Sequence, residues 1–160
     1  MIGKSNATPM VAVKDLDRAR DFYEGKLGLT TSEEMGGEVL TMKSGDTLIN
    51  VYKSEYAGTN KATALTFDVD DIESEVKALK DKGIFFEQYD MPGMERQGDL
   101  YVAEGMKTAW FKDPDGNILS LFEGSASYQL TLVARIGSRS LGGPQAVEPR
   151  TELGRVPVAS

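Results

Sequence analysis

Residues 8–13, Thr-Pro-Met-Val-Ala-Val, form a short, almost wholly apolar run that reads as a strand. Lys14-Asp15-Leu16-Asp17 follows, where the carboxylate of Asp15 or Asp17 can accept hydrogen bonds from the first free amides of a helix. The spacing then changes to threes and fours at Ala19, Phe22, Tyr23 and Leu27, which predicts a helix to about Lys26, stopped by Gly28. Three short strands are predicted at 30–35, 38–43 and 47–53, with Gly36-Gly37 and Ser44-Gly45-Asp46 as the turns. The same order then recurs. Thr66 to Val69 read as a strand, Asp70-Asp71 as a cap, Ile72, Val76 and Leu79 as a helical stripe, and Gly83 as its stop. Glu73 and Lys77 stand at i and i+4, a favourable exposed pair. Strands are predicted at 84–89, 100–104, 107–112 and 117–122, the last two joined by Asp113-Pro114-Asp115-Gly116. Residues 90–99 read as a long flexible loop, either a plain connection or a lid.

Val13-Lys14-Asp15-Leu16 and Val69-Asp70-Asp71-Ile72 lie 56 positions apart in the same role, so the pattern is a tandem duplication of a βαβββ unit. The chain is α+β, and its 160 residues suit one such domain. Composition changes after Glu123. Residues 1–123 carry 14 basic and 23 acidic side chains, net −9; residues 124–160 carry four Arg, no Lys and two acids, net +2. The domain is therefore placed at 1–123, and 124–160 is read as a low-complexity extension with little structure beyond one short element at 128–136.

The totals narrow the chemistry. There is no cysteine and no histidine, so disulfides, thiolate sites, imidazole ligands and imidazole bases are excluded. The formal net charge of −7 disfavours nucleic acid. No apolar run reaches the roughly 20 residues of a membrane span, and residues 1–8 lack the apolar stretch of a secretion signal, so a cytoplasmic location is expected.

Three segments, taken together, carry a resemblance. They are Val11-Ala-Val-Lys-Asp-Leu-Asp-Arg-Ala-Arg-Asp-Phe-Tyr-Glu-Gly-Lys-Leu-Gly-Leu29, Phe67-Asp-Val-Asp-Asp-Ile72 and Trp110-Phe-Lys-Asp-Pro-Asp-Gly-Asn-Ile-Leu-Ser-Leu-Phe122. In this combination and order, residues 8–123 resemble the vicinal-oxygen-chelate superfamily of glyoxalases, bleomycin resistance proteins and dioxygenases. The resemblance implies two βαβββ modules forming a curved mixed sheet around a cleft, helices on its outer face, and a homodimer. It also implies that a metal, where a member has one, is held at the positions of Thr8, Asn50, Ala64 and Ser120. None of these is an imidazole or a carboxylate, and Ala64 has no donor. No metal and no other cofactor is expected.

Strand alternation puts Thr8, Met10, Ala12, Leu48, Asn50, Tyr52, Ala64, Thr66, Asp68, Ile118, Ser120 and Phe122 on the cleft face, and Val11, Val13, Ile49, Val51, Leu65, Phe67, Val69, Leu119 and Leu121 on the core face. Trp110, the only tryptophan, is read either as a stacking platform or as a core residue, and Tyr52 and Tyr101 share that ambiguity. Asp68 and Tyr52 are the candidates for acid–base work, and Arg96 could meet an anion from the 90–99 loop. Two functional readings stand. The first is a metal-independent protein that sequesters an amphipathic small molecule, a cationic one being favoured by the acidic balance, in the manner of the antibiotic resistance members. The second is a lyase or dioxygenase with non-standard metal or acid–base groups. A third, a partner-binding or regulatory module using the sheet edge or the 124–160 extension, stands behind both.

Overall fold

The computed structural model describes residues 2–124. The extension from 125 onward, with the element expected at 128–136, lies outside the described residues.

The first module opens with β1 (Met10–Val13) and α1 (Leu16–Arg20). Of the two candidate caps, Asp15 performs the role: its side chain accepts from the Arg18 backbone N–H at 2.8 Å. The helix then widens into a π-helical segment, Asp21–Lys26, in which the Leu27 N–H donates to the Phe22 carbonyl at 3.0 Å. Gly28, at φ 80°, ends it. Strands β2 (Thr30–Met35), β3 (Val39–Ser44) and β4 (Thr47–Lys53) follow. The second module repeats this with β5 (Thr63–Asp68) and α2 (Ile72–Asp81), capped by Asp71, then β6 (Phe86–Glu87), β7 (Glu95–Gln97), β8 (Leu100–Ala103), β9 (Met106–Lys112) and β10 (Ile118–Glu123).

Three expectations are corrected in the second module. The strand expected at 84–89 is ordered as a ladder only at β6, which pairs with β9. The 90–99 segment is not all loop, because β7 pairs with β8 inside it. Glu73 bonds to Lys107 on β9 at 2.8 Å and not to Lys77, because Lys107 sits between two carboxylates, Glu73 and Glu123.

The α+β architecture is as read from the sequence, and the modules form separate ladders. One sheet runs β1-β4-β3-β2; the other runs β5-β10-β9-β8-β7 with β6 beside β9. In both, the first strand is parallel to the last and the rest are antiparallel. Most of the expected core face is buried: Val11, Val13, Ile49 and Val51 from one sheet meet Leu119, Leu121 and Phe111 from the other in a single cluster, while Leu65, Phe67 and Val69 pack against it half-buried. Both helices contribute to it through Ala19, Phe22, Tyr23, Ile72, Val76 and Leu79. The opposite face of each sheet therefore points away from this shared core.

A polar joint locks the modules together. Asp113, buried in the Asp-Pro-Asp-Gly turn, accepts from the Tyr23 hydroxyl at 2.8 Å, from the Asp115 and Asn117 amides at 2.9 Å and from the Asn117 side chain at 2.7 Å. Asn117 also donates to the Ala12 carbonyl at 2.8 Å, and Asp115 accepts from Lys14 N–H and Arg18.

Candidate functional site

The outward face of the first sheet is set by the register Met10↔Asn50 and Ala12↔Tyr52 on one side and Thr41↔Asn50 and Val39↔Tyr52 on the other. Met10 is 55% exposed and Leu48 47%, whereas Val11 and Ile49 beside them are at 3%. Tyr52 is half-buried on the same face. Asn50 accepts from the Thr41 hydroxyl at 2.9 Å. Thr8 is exposed and precedes β1.

The outward face of the second sheet carries Thr66, Ser120 and Trp110 in one row and Asp68, Phe122, Thr108 and Tyr101 in the next. Ala64 and Asp68 are exposed on β5. The Thr66 and Ser120 hydroxyls bond at 2.8 Å, and Thr108 donates to the Leu121 carbonyl at 2.8 Å. Unlike the first face, this one is covered. Trp110, Tyr101 and Phe122 are all nearly inaccessible. Met91 and Met94, from the β6–β7 connection, pack on Tyr89, Tyr101, Trp110 and Ile118, and Met94 also packs on Met106 and Phe122. Arg96, considered for an anion, is exposed on β7 and donates to Gln88. The contacts just named gather the candidate residues into two groups, one on each sheet.

Tyr89 is the residue that sequence reasoning missed. Its ring meets Trp110 edge-on at 5.8 Å, and Tyr101 meets Trp110 at 5.3 Å. The Tyr101 hydroxyl is fully used: it accepts from the Tyr89 N–H at 2.5 Å and donates to the Tyr89 carbonyl at 2.8 Å. The Tyr89 hydroxyl is buried and has no partner among the described residues, a state that costs about 1–3 kcal/mol. Burial, with the charge of Glu87 and then Tyr101 nearby, pushes its phenol up to about 12. Strand alternation was the available signal, since Tyr89 lies two residues beyond Glu87, the register partner of Trp110.

The four positions implied for a metal do not make a donor set. Asn50 is already bonded to Thr41, Ser120 to Thr66, and Ala64 has no ligand atom. The acidic grouping Asp71, Glu73 and Glu123 is met by the Lys107 ammonium, at 2.8 Å from Glu73 and 3.0 Å from Glu123. A cavity of about 470 Å3 opens on the core side, between the modules, lined by Leu29, Phe67, Glu75, Leu79 and Phe111; of the expected cleft residues Asp68 reaches it.

The profile of the Glyoxalase/Bleomycin resistance protein/Dioxygenase superfamily matches residues 7–121. The chain belongs to this superfamily. No curated protein matches it. Among solved structures it is similar to a fosfomycin resistance protein from Listeria monocytogenes, at 15% identity and TM-score 0.63, covering 80% of this chain and 97% of that one. It is also similar to a glyoxalase family protein from Enterococcus faecalis, at 23% identity and TM-score 0.57, covering 77% and 100%. A lactoylglutathione lyase from Agrobacterium tumefaciens aligns at 18% identity and TM-score 0.57, covering 76% and 94%. These likenesses establish the fold of this superfamily member. Among its described residues no helix is long and apolar enough to cross a membrane.

Proposed function

We propose that this superfamily member binds an amphipathic small molecule without a metal, and that the binding cleft is completed by a second copy of the chain. The observation that carries the first part is the donor chemistry at Thr8, Asn50, Ala64 and Ser120. No imidazole or carboxylate stands there, and the Asn50 and Ser120 oxygens are committed to neighbouring hydroxyls. Lewis-acid activation of a substrate needs such ligands.

The second part follows from the direction of the two faces. Each looks away from the shared core, and the first exposes Met10 and Leu48. A twofold axis sets the first face of one copy against the second face of its partner. The unpaired edges of β1 and β5 then have a strand to meet.

Metal analysis tests the reading. Protein incubated with Mg, Mn, Fe, Ni and Zn salts and then desalted should retain no stoichiometric ion. One tightly held ion per chain would sink metal independence and favour a lyase or dioxygenase.

A further inference from the structure

We infer that the Tyr89 hydroxyl selects an uncharged, flat, largely apolar ligand bearing one acceptor oxygen, bound against the Tyr89–Trp110–Tyr101 cluster where Met91 and Met94 now lie. This rests on the outward face of the second sheet being half of the cleft.

The argument begins with the contrast between two tyrosines. Both rings pack edge-on against Trp110. Tyr101 uses its hydroxyl twice and so holds the Tyr89 backbone in place. Tyr89 uses its hydroxyl for nothing among the described residues, although it is 4% exposed. For packing alone, phenylalanine fills the same space and leaves no polar atom stranded. A polar group kept dry and unpartnered beside a binding face is matched by an acceptor that arrives with a ligand.

The cover supplies the room. It consists of two methionines, flexible side chains that repack around varied shapes. They come from a turn closed by the Met94 N–H on the Met91 carbonyl, with Gly93 at φ 86° between them. Displacing Met91 and Met94 exposes an aromatic floor without breaking the β7–β8 ladder.

The charge of the ligand follows from the surroundings. The hydroxyls of Thr66, Ser120 and Thr108 are already bonded, and Glu87 at the flank is neutralised by Lys112 at 2.9 Å. The Tyr89 phenol stays protonated at neutral pH and acts as a donor. A donor in an aromatic, charge-balanced setting suits a carbonyl or ether oxygen on a ring, and disfavours an ion stripped of its water.

Acetophenone and ethylbenzene test this: each is a benzene ring with a two-carbon side chain, and only acetophenone carries an acceptor oxygen. Trp110 is the only tryptophan, so its single indole N–H resonance reports on the cluster in the full chain. Acetophenone should shift that resonance and bind about tenfold tighter than ethylbenzene. Tyr89→Phe should melt no lower than the natural chain and erase the difference between the probes. If both probes bind and Tyr89→Phe preserves the preference for acetophenone, the role of Tyr89 is overturned while the cleft stands. If neither probe moves the indole resonance, the inference and the placement of a ligand on this face fall together.

Discussion

Asp113 shows what single residues contribute. Its carboxylate, 5% exposed, takes four donors, one of them the Tyr23 hydroxyl from 90 residues away. Asp113→Ala removes all four bonds and strands a buried phenol, so a loss of about 3–5 kcal/mol is expected from urea unfolding. Tyr23→Phe should cost about 1–2 kcal/mol, since Asp113 keeps three donors. Burial, then the charge of Asp113 and its hydrogen bond, raise the Tyr23 phenol above its ordinary value. The protonated phenol is thus the form the fold favours. Its contribution is complete below about pH 10 and is lost as the pH rises further. A stability profile from pH 8 upward should fall less steeply in Tyr23→Phe than in the natural chain, and equal slopes would refute the assignment. The sequence announced Asp113 as a turn residue. Its role as the joint between modules was hidden, because Tyr23 and Ala12 are brought to that turn by tertiary packing.

At the scale of elements, the π-helical segment is the clearest departure from the pattern. Apolar positions at Ala19, Phe22, Tyr23 and Leu27 predicted an α-helix, but Phe22 and Tyr23 are adjacent and both are buried, at 5% and 0%. A wider turn brings both into the core, where Phe22 reaches Phe111 and Tyr23 reaches Asp113. Gly25 lies inside this segment with open space around it. Gly25→Ala should raise the unfolding free energy by about 0.5–1 kcal/mol, and a drop would mean that the segment needs the glycine. Gly58 behaves oppositely. At φ 72°, a methyl group there would stand 1.8 Å from the Asp115 carbonyl. Gly58→Ala should destabilise by well over about 1 kcal/mol, read as a lowered Tm. The second module was less legible than the first. Its 84–99 region has weak alternation, and β7 is held by pairing with β8, a contact that periodicity does not record.

For the whole molecule, the consequential feature is that each sheet buries one face in a common core and turns the other away. On the first sheet the outward face leaves Met10 and Leu48 exposed. Leu48→Glu and Met10→Glu should therefore leave the melting of the fold nearly unchanged while shifting the protein from dimer to monomer in sedimentation. A natural chain that is monomeric at all concentrations would refute the shared cleft. The sequence by itself determined the duplicated modules, the capping aspartates, the glycine stops and the two faces of most strands, because those depend on neighbours a few positions away. It also determined that Thr8, Asn50, Ala64 and Ser120 lack imidazole and carboxylate groups, since residue type alone decides that. Tertiary structure decided the rest. It spread the candidate cleft residues over two sheets, closed Met91 and Met94 over Trp110, left the Tyr89 hydroxyl without a partner among the described residues, and made Asp113 the joint between modules. Each of these depends on pairs far apart in the chain, whose meeting is set by how two sheets share one core.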